Sequence, residues 1–440
     1  MKAVTIQPFS LNGKVKIPPS KSLCHRVIIA AALSNGQCTI NNISMSEDII
    51  ATCEIMEKLG AQIKKIPDGL HINGKCASGF SSLGFVNSKL ENNVAARNEL
   101  ECNESGSTLR FLIPIGMHSG EKIIFKGKGK LSQRPLKPYY EIFDKQNIKY
   151  TTKGGCLPLT IEGKLKPGNF ELRGDVSSQF ITGLLYELPL LNGDSTIVVT
   201  TKMESIGYID LTLDVLSKFG VTIENNNYRE FKIKGNQCYE NRDYSVEGDF
   251  SQAAFYLAAG VLGGELQCLD VNMESLQGDK VIVDIIKDMG GNISLVDGII
   301  KASKSDLKGS IIDVSQCPDL LPIVAVLGAL SVGTTEIINA RRARFKESDR
   351  IKAITTELNK IGAEVIERGD SLIIHGKPWL VGGIVNSWND HRIAMALAIA
   401  STRCTENLTI EDSGAVKKSY PDFYQDFMRL GGKVNEWTMG

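Results

Sequence analysis

Arg342-Ala343-Arg344-Phe345-Lys346-Glu347-Ser348-Asp349-Arg350 puts four cations and two carboxylates into nine residues. Such residues bind anions and move protons. A carboxylate in partial burial beside fixed cations is a candidate proton-transfer group. Cations at a helix start, where free backbone N–H groups point, suit an anionic ligand. The stretch runs into such a helix. Ile351, Ile354, Leu358 and Ile361 recur at intervals of three and four, so one stripe faces a core. Glu347 and Arg350 project onto the N-terminal rim of that stripe, above Ile354. A helix opening with surface ion pairs reads the same way, and this segment alone leaves both readings open.

Comparable helix mouths recur along the chain. Lys14-Val15-Lys16-Ile17 reads as a strand, Pro18-Pro19 as a rigid break, and Ser20 as the N-cap of a helix through Leu33. Lys21, Ser22 and Arg26 then occupy its first turns, where the helix dipole disfavours cations unless an anion lies between them. Glu104-Ser105-Gly106-Ser107-Thr108-Leu109-Arg110 precedes the apolar helix Phe111 to Met117, and small residues there allow a phosphate or carboxylate to approach the backbone. Gln133-Arg134-Pro135 follows a Gly/Lys-rich turn that lacks P-loop spacing, which argues against a nucleotide site. Asp175-Val176-Ser177-Ser178-Gln179-Phe180 offers hydroxyls and an amide, with Ser205 one strand later. Glu247-Gly248-Asp249-Phe250-Ser251-Gln252 reads as a capping box or structural turn.

Cys317-Pro318-Asp319 opens the apolar helix Leu320 to Leu330. Asp319 is a cap, or a base complementing Glu347 in the same repeat. Asn389-Asp390-His391-Arg392 opens the helix Ile393 to Ala400, and Lys417-Lys418 precedes Tyr420-Pro421-Asp422. Helix N-termini converging from two domains would make a strongly anion-seeking cleft.

The elements that position these mouths repeat. A helix end, a Gly and a β-rich strand recur at Gly60, Gly220, Gly290, Gly362 and Gly431, the last four spaced by about 70 residues. A copy without Gly sits at Lys145-Gln146-Asn147-Ile148. In each, the Gly is the expected left-handed helix cap. A second series, a helix followed by a polar Gly turn, interleaves with the first at Gly36, Gly120, Gly193, Gly264 and Gly333. Six units of strand, helix, strand, helix, strand, strand follow, three to a domain, with the sheets inside or outside a helical layer. The strand around Val4 to Ile6 is expected to pair with the C-terminal half, whose final unit ends on an unpartnered strand.

The 440 residues exceed one ordinary core. Fifty basic residues balance fifty acidic ones, which excludes broad nucleic-acid or membrane binding; any positive field is local. No signal peptide or membrane span is legible. Ten cysteines, scattered singly, read as reduced thiols of a cytoplasmic protein, and no His/Cys spacing suits structural zinc.

Taken in order, Pro19-Ser20-Lys21-Ser22 with His25-Arg26, Ser105 to Arg110, Gln133-Arg134-Pro135, Val176 to Phe180, Pro318-Asp319, Lys346 to Arg350, Asn389 to Arg392 and Lys418 before Tyr420-Pro421-Asp422 resemble the enolpyruvylshikimate phosphate synthase family over nearly the whole chain. The resemblance implies an inside-out α/β barrel of two domains, each of three βαβαββ units. One domain would join 1–20 to 244–440, the other span 21–243, with the substrate cleft between them. It implies transfer of the enolpyruvyl group of phosphoenolpyruvate to the 5-hydroxyl of shikimate 3-phosphate, by a monomer without metal or organic cofactor. It places Lys21, Ser177, Ser178 and Ser205 on the shikimate phosphate, Ser22 and Arg26 on its carboxylate, and Gln179 along its ring. Lys21, Gly106, Arg134, Gln179, Arg350, Arg392 and Lys418 would bind phosphoenolpyruvate. Asp319 and Lys346 would contact the attacking hydroxyl, and Glu347 would carry the methylene proton, with Lys21, Asp319 and Glu347 as the catalytic set.

Glu104, Ser107 and Arg342 depart from the family pattern, which commonly has Asn, Thr and Asn there. The nearest rival is the UDP-N-acetylglucosamine carboxyvinyltransferase family, of the same fold. It would start on Lys-Asn and carry a reactive Cys on a mobile loop; no Cys adjoins Gln133-Arg134-Pro135 here. A non-catalytic phospho-ligand binder is expected to lack Asp319 or Glu347, and both are present.

Overall fold

The structure, a computed structural model, describes residues 2–75 and 98–438. The chain opens with β1 (Lys2–Gln7) and β2 (Asn12–Lys16). Then come α1 (Lys21–Leu33), β3 (Gly36–Asn41), α2 (Glu47–Lys58), β4 (Gln62–Ile66) and β5 (Gly69–Gly74). The next repeat is β6 (Glu99–Glu101), α3 (Gly106–Gly116), β7 (Ile123–Lys126), α4 (Lys137–Gln146), β8 (Lys149–Lys153) and β9 (Cys156–Glu162). It is followed by β10 (Asn169–Leu172), α5 (Ser178–Glu187), β11 (Ser195–Val199), α6 (Ile206–Lys218), β12 (Ile223–Asn226) and β13 (Glu230–Ile233).

After the short β14 (Tyr244–Ser245) come α7 (Phe250–Gly263), β15 (Glu265–Leu269), α8 (Ile282–Asp288), β16 (Asn292–Val296) and β17 (Ile299–Ser303). The fifth repeat is β18 (Ile311–Asp313), α9 (Leu321–Ala329), β19 (Thr334–Ile338), α10 (Arg350–Lys360), β20 (Glu364–Arg368) and β21 (Ser371–His375). The last is β22 (Gly383–Asn386), α11 (His391–Ala400), β23 (Leu408–Glu411), α12 (Phe423–Arg429) and β24 (Lys433–Thr438).

Every repeat makes a four-stranded sheet with one parallel pair at an edge and two antiparallel pairings, as in the order β18-β19-β21-β20. Three sheets borrow a strand from far along the chain. β1 inserts between β23 and β24, pairing Val4 with Ile410 and with Glu436, as the unpartnered final strand led us to expect. β2 lies parallel to β15, and β14 lies parallel to β3.

Contacts divide the chain into two units, residues 1–20 with 247–440, and residues 21–246. The anticipated start at 244 and this division differ by β14, whose Tyr244 and Ser245 pair with Ile40 and Asn41.

The repeat glycines take the predicted left-handed conformation, with φ of 80° at Gly220, 84° at Gly290, 88° at Gly362 and 98° at Gly431. In the copy lacking Gly, Asn147 does the same at 57°, the one common substitute for Gly at such a cap.

Within each unit the helices sort by pattern. In α9 every residue from Leu321 to Ala329 is buried, and in α11 every residue from His391 to Ala400. α1 is buried from Leu23 to Leu33. A helix that is apolar all round belongs at the centre of a core. α7, α9 and α11 pack on one another in one unit, as do α1, α3 and α5 with α6 in the other. The sheets lie outside them and alternate buried with half-buried or exposed residues, as in β9 and β21. Each unit closes its own apolar cluster. Predicted site residues lie at the N-termini of the buried α1, α9 and α11, and also at that of α10, which is buried on one face only.

Candidate active site

In the unit of residues 21–246, α3 and α5 meet at their N-termini. Ser105 caps α3, accepting from the Thr108 N–H at 3.2 Å, and Ser177 caps α5, accepting from the Gln179 N–H at 3.3 Å. The Gln179 side chain ties the two together. Its Oε1 accepts from Arg110 Nη1 at 2.7 Å, and its Nε2 donates to Ser107 Oγ at 3.0 Å. Gly106 lies under the Arg134 guanidinium: a Cβ added there would sit 2.8 Å from Nη1. Only a residue without a side chain lets Arg134 come so close to the helix mouth. Gly106, Arg134 and Gln179 are thus brought together.

α1 presents its cations differently. Lys21 Nζ donates to Asp48 Oδ2 at 2.8 Å, from the first turn of α2. Arg26 is buried, donating to Thr212 Oγ1 at 2.9 Å, to the Tyr208 carbonyl at 2.8 Å and to the Ser22 carbonyl at 2.8 Å. Its guanidinium lies 5.0 Å over the Phe111 ring, so it also packs α1 against α3.

Beneath these groups runs a hydrogen-bonded chain. His25 Nδ1 is 2.8 Å from Thr52 Oγ1, which is 2.7 Å from Thr108 Oγ1, which reaches Ser105 Oγ at 2.7 Å. Burial lowers His25 well below its ordinary pKa, and Lys21 and Arg26 push the same way, so its ring is neutral. Ser205 is buried and left-handed, with φ of 55°, directly before α6. A non-glycine residue at positive φ is uncommon and marks a locally constrained position. Glu104, the departure from the family pattern, lies against Gly129: a Cβ there would meet its carboxyl at 2.6 Å.

In the other unit Asp319 is the hub. Its Oδ1 is 2.9 Å from Lys346 Nζ and 2.7 Å from Arg350 Nη1, and its Oδ2 is 3.1 Å from Arg392 Nη2. It is not the cap of α9: the residue in that position is Leu320, with no side-chain bond. Burial alone would raise the Asp319 carboxyl, but Arg392, Lys346 and Arg350 outweigh it and hold it well below the usual carboxylate range. Lys346 moves down, from burial first, with Arg350 and Arg342 adding to that and Asp319 opposing it. Arg342 therefore acts electrostatically on Lys346.

Arg350 is 1% exposed yet fully engaged. Besides Asp319 it donates from Nη2 to Glu347 Oε2 at 2.6 Å and from Nε to Asp390 Oδ2 at 2.8 Å. Burial opposes its charge, but Asp390, Glu347 and Asp319 together raise its pKa. Asp390 caps α11 by accepting from the Arg392 N–H at 2.9 Å, and also takes Ser348 Oγ at 2.9 Å. Arg392 Nη2 reaches Ser251 Oγ at 3.0 Å. Lys418 Nζ donates to the Asn389 carbonyl at 2.7 Å. The mouths of α7, α9, α10 and α11 are thereby joined through Asp319, Lys346, Glu347, Arg350 and Arg392.

Asp48 is absent from the sequence motifs, and Asp390 stands in one, Asn389 to Arg392, without a role of its own. Each sits at the start of a helix, where an acidic residue is what the dipole favours, so neither stood out from an ordinary cap. Asp249 does cap its helix, accepting from Ser251 N–H at 2.8 Å, as anticipated. The nine described cysteines are free thiols, and Cys76 lies outside the described residues.

Residues 6–427 match the family model described as EPSP synthase (3-phosphoshikimate 1-carboxyvinyltransferase). The chain is 56% identical over 440 residues to the 3-phosphoshikimate 1-carboxyvinyltransferase of Clostridium novyi (strain NT), covering all of both chains. Identity is also 56%, again over the full length of both, with the protein of that name from Clostridium kluyveri. Among solved structures, EPSP synthase from Acinetobacter baumannii shares the fold at a TM-score of 0.81 and 23% identity, covering 100% of each chain.

Proposed function

The chain belongs to the EPSP synthase family, and from that premise we propose that it transfers the enolpyruvyl group of phosphoenolpyruvate to the 5-hydroxyl of shikimate 3-phosphate, releasing phosphate, in aromatic amino-acid biosynthesis. The observation that carries this reading is the gathering of Lys346, Arg350 and Arg392 around one carboxylate, Asp319, with Glu347 on the same guanidinium.

Two phosphorylated acids repel one another, so the first requirement is positive charge fixed in place. Arg350, Arg392 and Lys418, and Arg134 over Gly106, take phosphoenolpyruvate. Ser177, Ser178 and Ser205 with Lys21 take the phosphate of shikimate 3-phosphate. Ser22 and the N–H groups of Arg26 not spent on Thr212, Tyr208 and Ser22 take its carboxylate, and Gln179 lies along its ring. Lys21 reaches its ligands by leaving or sharing Asp48.

The second requirement is proton transfer at two places. Asp319, held ionised by three cations, accepts from the attacking 5-hydroxyl, with Lys346 alongside. Glu347 protonates the methylene carbon as the C–O bond forms, giving a tetrahedral adduct. It then takes a proton back as the C–O bond to phosphate breaks. Acid and base roles alternate on one carboxyl, and Arg350 holds it in position at 2.6 Å.

The free thiols suit a reducing compartment, so we place the enzyme in the cytoplasm. Each unit completes its own core, which suits a monomer. The test is phosphate release: it should require phosphoenolpyruvate and shikimate 3-phosphate together. Release with a UDP-sugar acceptor in place of shikimate 3-phosphate would overturn the reading.

A further inference from the structure

Between β22 and α11 the chain turns through Trp388 and Asn389, with φ of 56° and 52°. Neither is glycine, and a bulky side chain resists this region, so the surroundings must hold the turn. The holder is on α10. Glu357 is 1% exposed, and its Oε1 accepts from the indole N–H of Trp388 at 2.7 Å. Its Oε2 accepts from the Asn386 backbone N–H at 2.9 Å. Lys360 donates to the two oxygens at 3.0 and 2.9 Å, balancing the buried charge.

Two local bonds complete the turn. Asn386 Oδ1 accepts from the Trp388 N–H at 2.7 Å, and Ser387 Oγ from the Asn389 N–H at 3.2 Å. The turn presents the Asn389 carbonyl to Lys418 Nζ at 2.7 Å. One residue further on, Asp390 meets Arg350 and the Arg392 N–H. α10 therefore grips this loop twice on one face, two helical turns apart: Arg350 at Asp390, Glu357 at Trp388.

We propose that Glu357 and Trp388 form a clamp that sets Lys418 and Arg392 in place for phosphoenolpyruvate. Both are positioning residues, and the inference rests on the enolpyruvyl-transfer reading above. With the clamp open, the turn relaxes toward negative φ, the Asn389 carbonyl moves off Lys418, and Asp390 shifts against Arg350 and Arg392. The residues assigned to the phosphate and carboxylate of shikimate 3-phosphate lie in the other unit, and Asp319 and Lys346 meet only its 5-hydroxyl, so the loss falls mainly on phosphoenolpyruvate.

The test compares phosphate release by the full chain, W388F, E357Q and the double variant, with each substrate varied in turn. Phe keeps the ring and loses the N–H. Gln keeps an oxygen for the indole but sets an amide NH2 against the Asn386 N–H. The KM for phosphoenolpyruvate should rise about tenfold in each single variant, with that for shikimate 3-phosphate within about twofold. The double variant should be no worse than the weaker single one, because both break one clamp. Equal rises in both KM values, or an unchanged phosphoenolpyruvate KM in a variant folded by circular dichroism, overturn the clamp. If W388F does not fold, E357Q decides by the same criterion. A wild type that releases no phosphate from the substrate pair overturns the underlying reading, and the clamp with it.

Discussion

Arg350 Nη2 donates to Glu347 Oε2 at 2.6 Å, while Nη1 of the same guanidinium donates to Asp319 Oδ1 at 2.7 Å. The two candidate proton carriers therefore share one buried cation. Their separation and orientation are set by a planar fork with fixed geometry, which a lysine could not supply.

Glu347→Gln keeps the shape and an oxygen for Arg350 but removes the proton. Turnover should fall at least about a hundredfold, the usual range for losing a general acid–base group. Binding of both substrates, measured by calorimetry, should change little. Undiminished phosphate release removes Glu347 from the proton role.

Asp319→Asn leaves Lys346, Arg350 and Arg392 crowded without the anion between them. Unpairing buried charges costs about 3–5 kcal/mol, less here because Asp319 is 15% exposed. The melting temperature should drop, and inorganic phosphate should restore part of it by taking the anion's place. A variant that melts like the wild type and ignores phosphate contradicts the charge arrangement.

Gly106→Ala sets a methyl 2.8 Å from Arg134 Nη1. The obstructed atom ends a flexible side chain, so the guanidinium moves and the fold survives. The KM for phosphoenolpyruvate should rise about tenfold, the scale of a cation displaced from its ligand. Unchanged phosphoenolpyruvate kinetics would take Arg134 out of that subsite.

Glu187, at the end of α5, accepts from or donates to His118 Nδ1 at 2.8 Å. Burial pushes its carboxyl from 4.5 up to about 7, with His118 and Lys164 opposing. The folded state thus holds this proton more tightly than the unfolded state. The contribution is complete below pH 4.5 and is lost as pH rises through 7, on the order of 3 kcal/mol in all. Glu187→Gln, which mimics the protonated group, should melt higher than the wild type at pH 8 and alike at pH 5. His25, depressed by burial, acts in the opposite sense below 6.5 and cancels in the comparison. A wild-type advantage at pH 8 contradicts the assignment.

Much of the fold is legible because its signals are local. A glycine or Asn147 in a left-handed cap, and a run such as Leu320 to Leu330 with no polar face, report on their own surroundings. The strand at Lys14 to Ile17 is legible as β2, but its pairing is not, and β14 is not legible at all. Their partners lie far along the chain, Glu265 for Asn12 and Ile40 for Tyr244. The site divides along the same line. Clusters such as Lys346 to Arg350 announce themselves by composition. Asp48, Asp390 and Glu357 act through distant partners, Lys21, Arg350 and Trp388, and each looks by itself like an ordinary helix carboxylate.

β1 sits between β23 and β24, so the first residues of the chain wait for the last before their sheet exists. On the ribosome, the unit spanning 21–246 can finish while roughly half the polypeptide is still unmade. Throughout that interval β1 has neither of its strand partners. Both neighbours of β1 are made last, so this sheet cannot close until β24 has been synthesised.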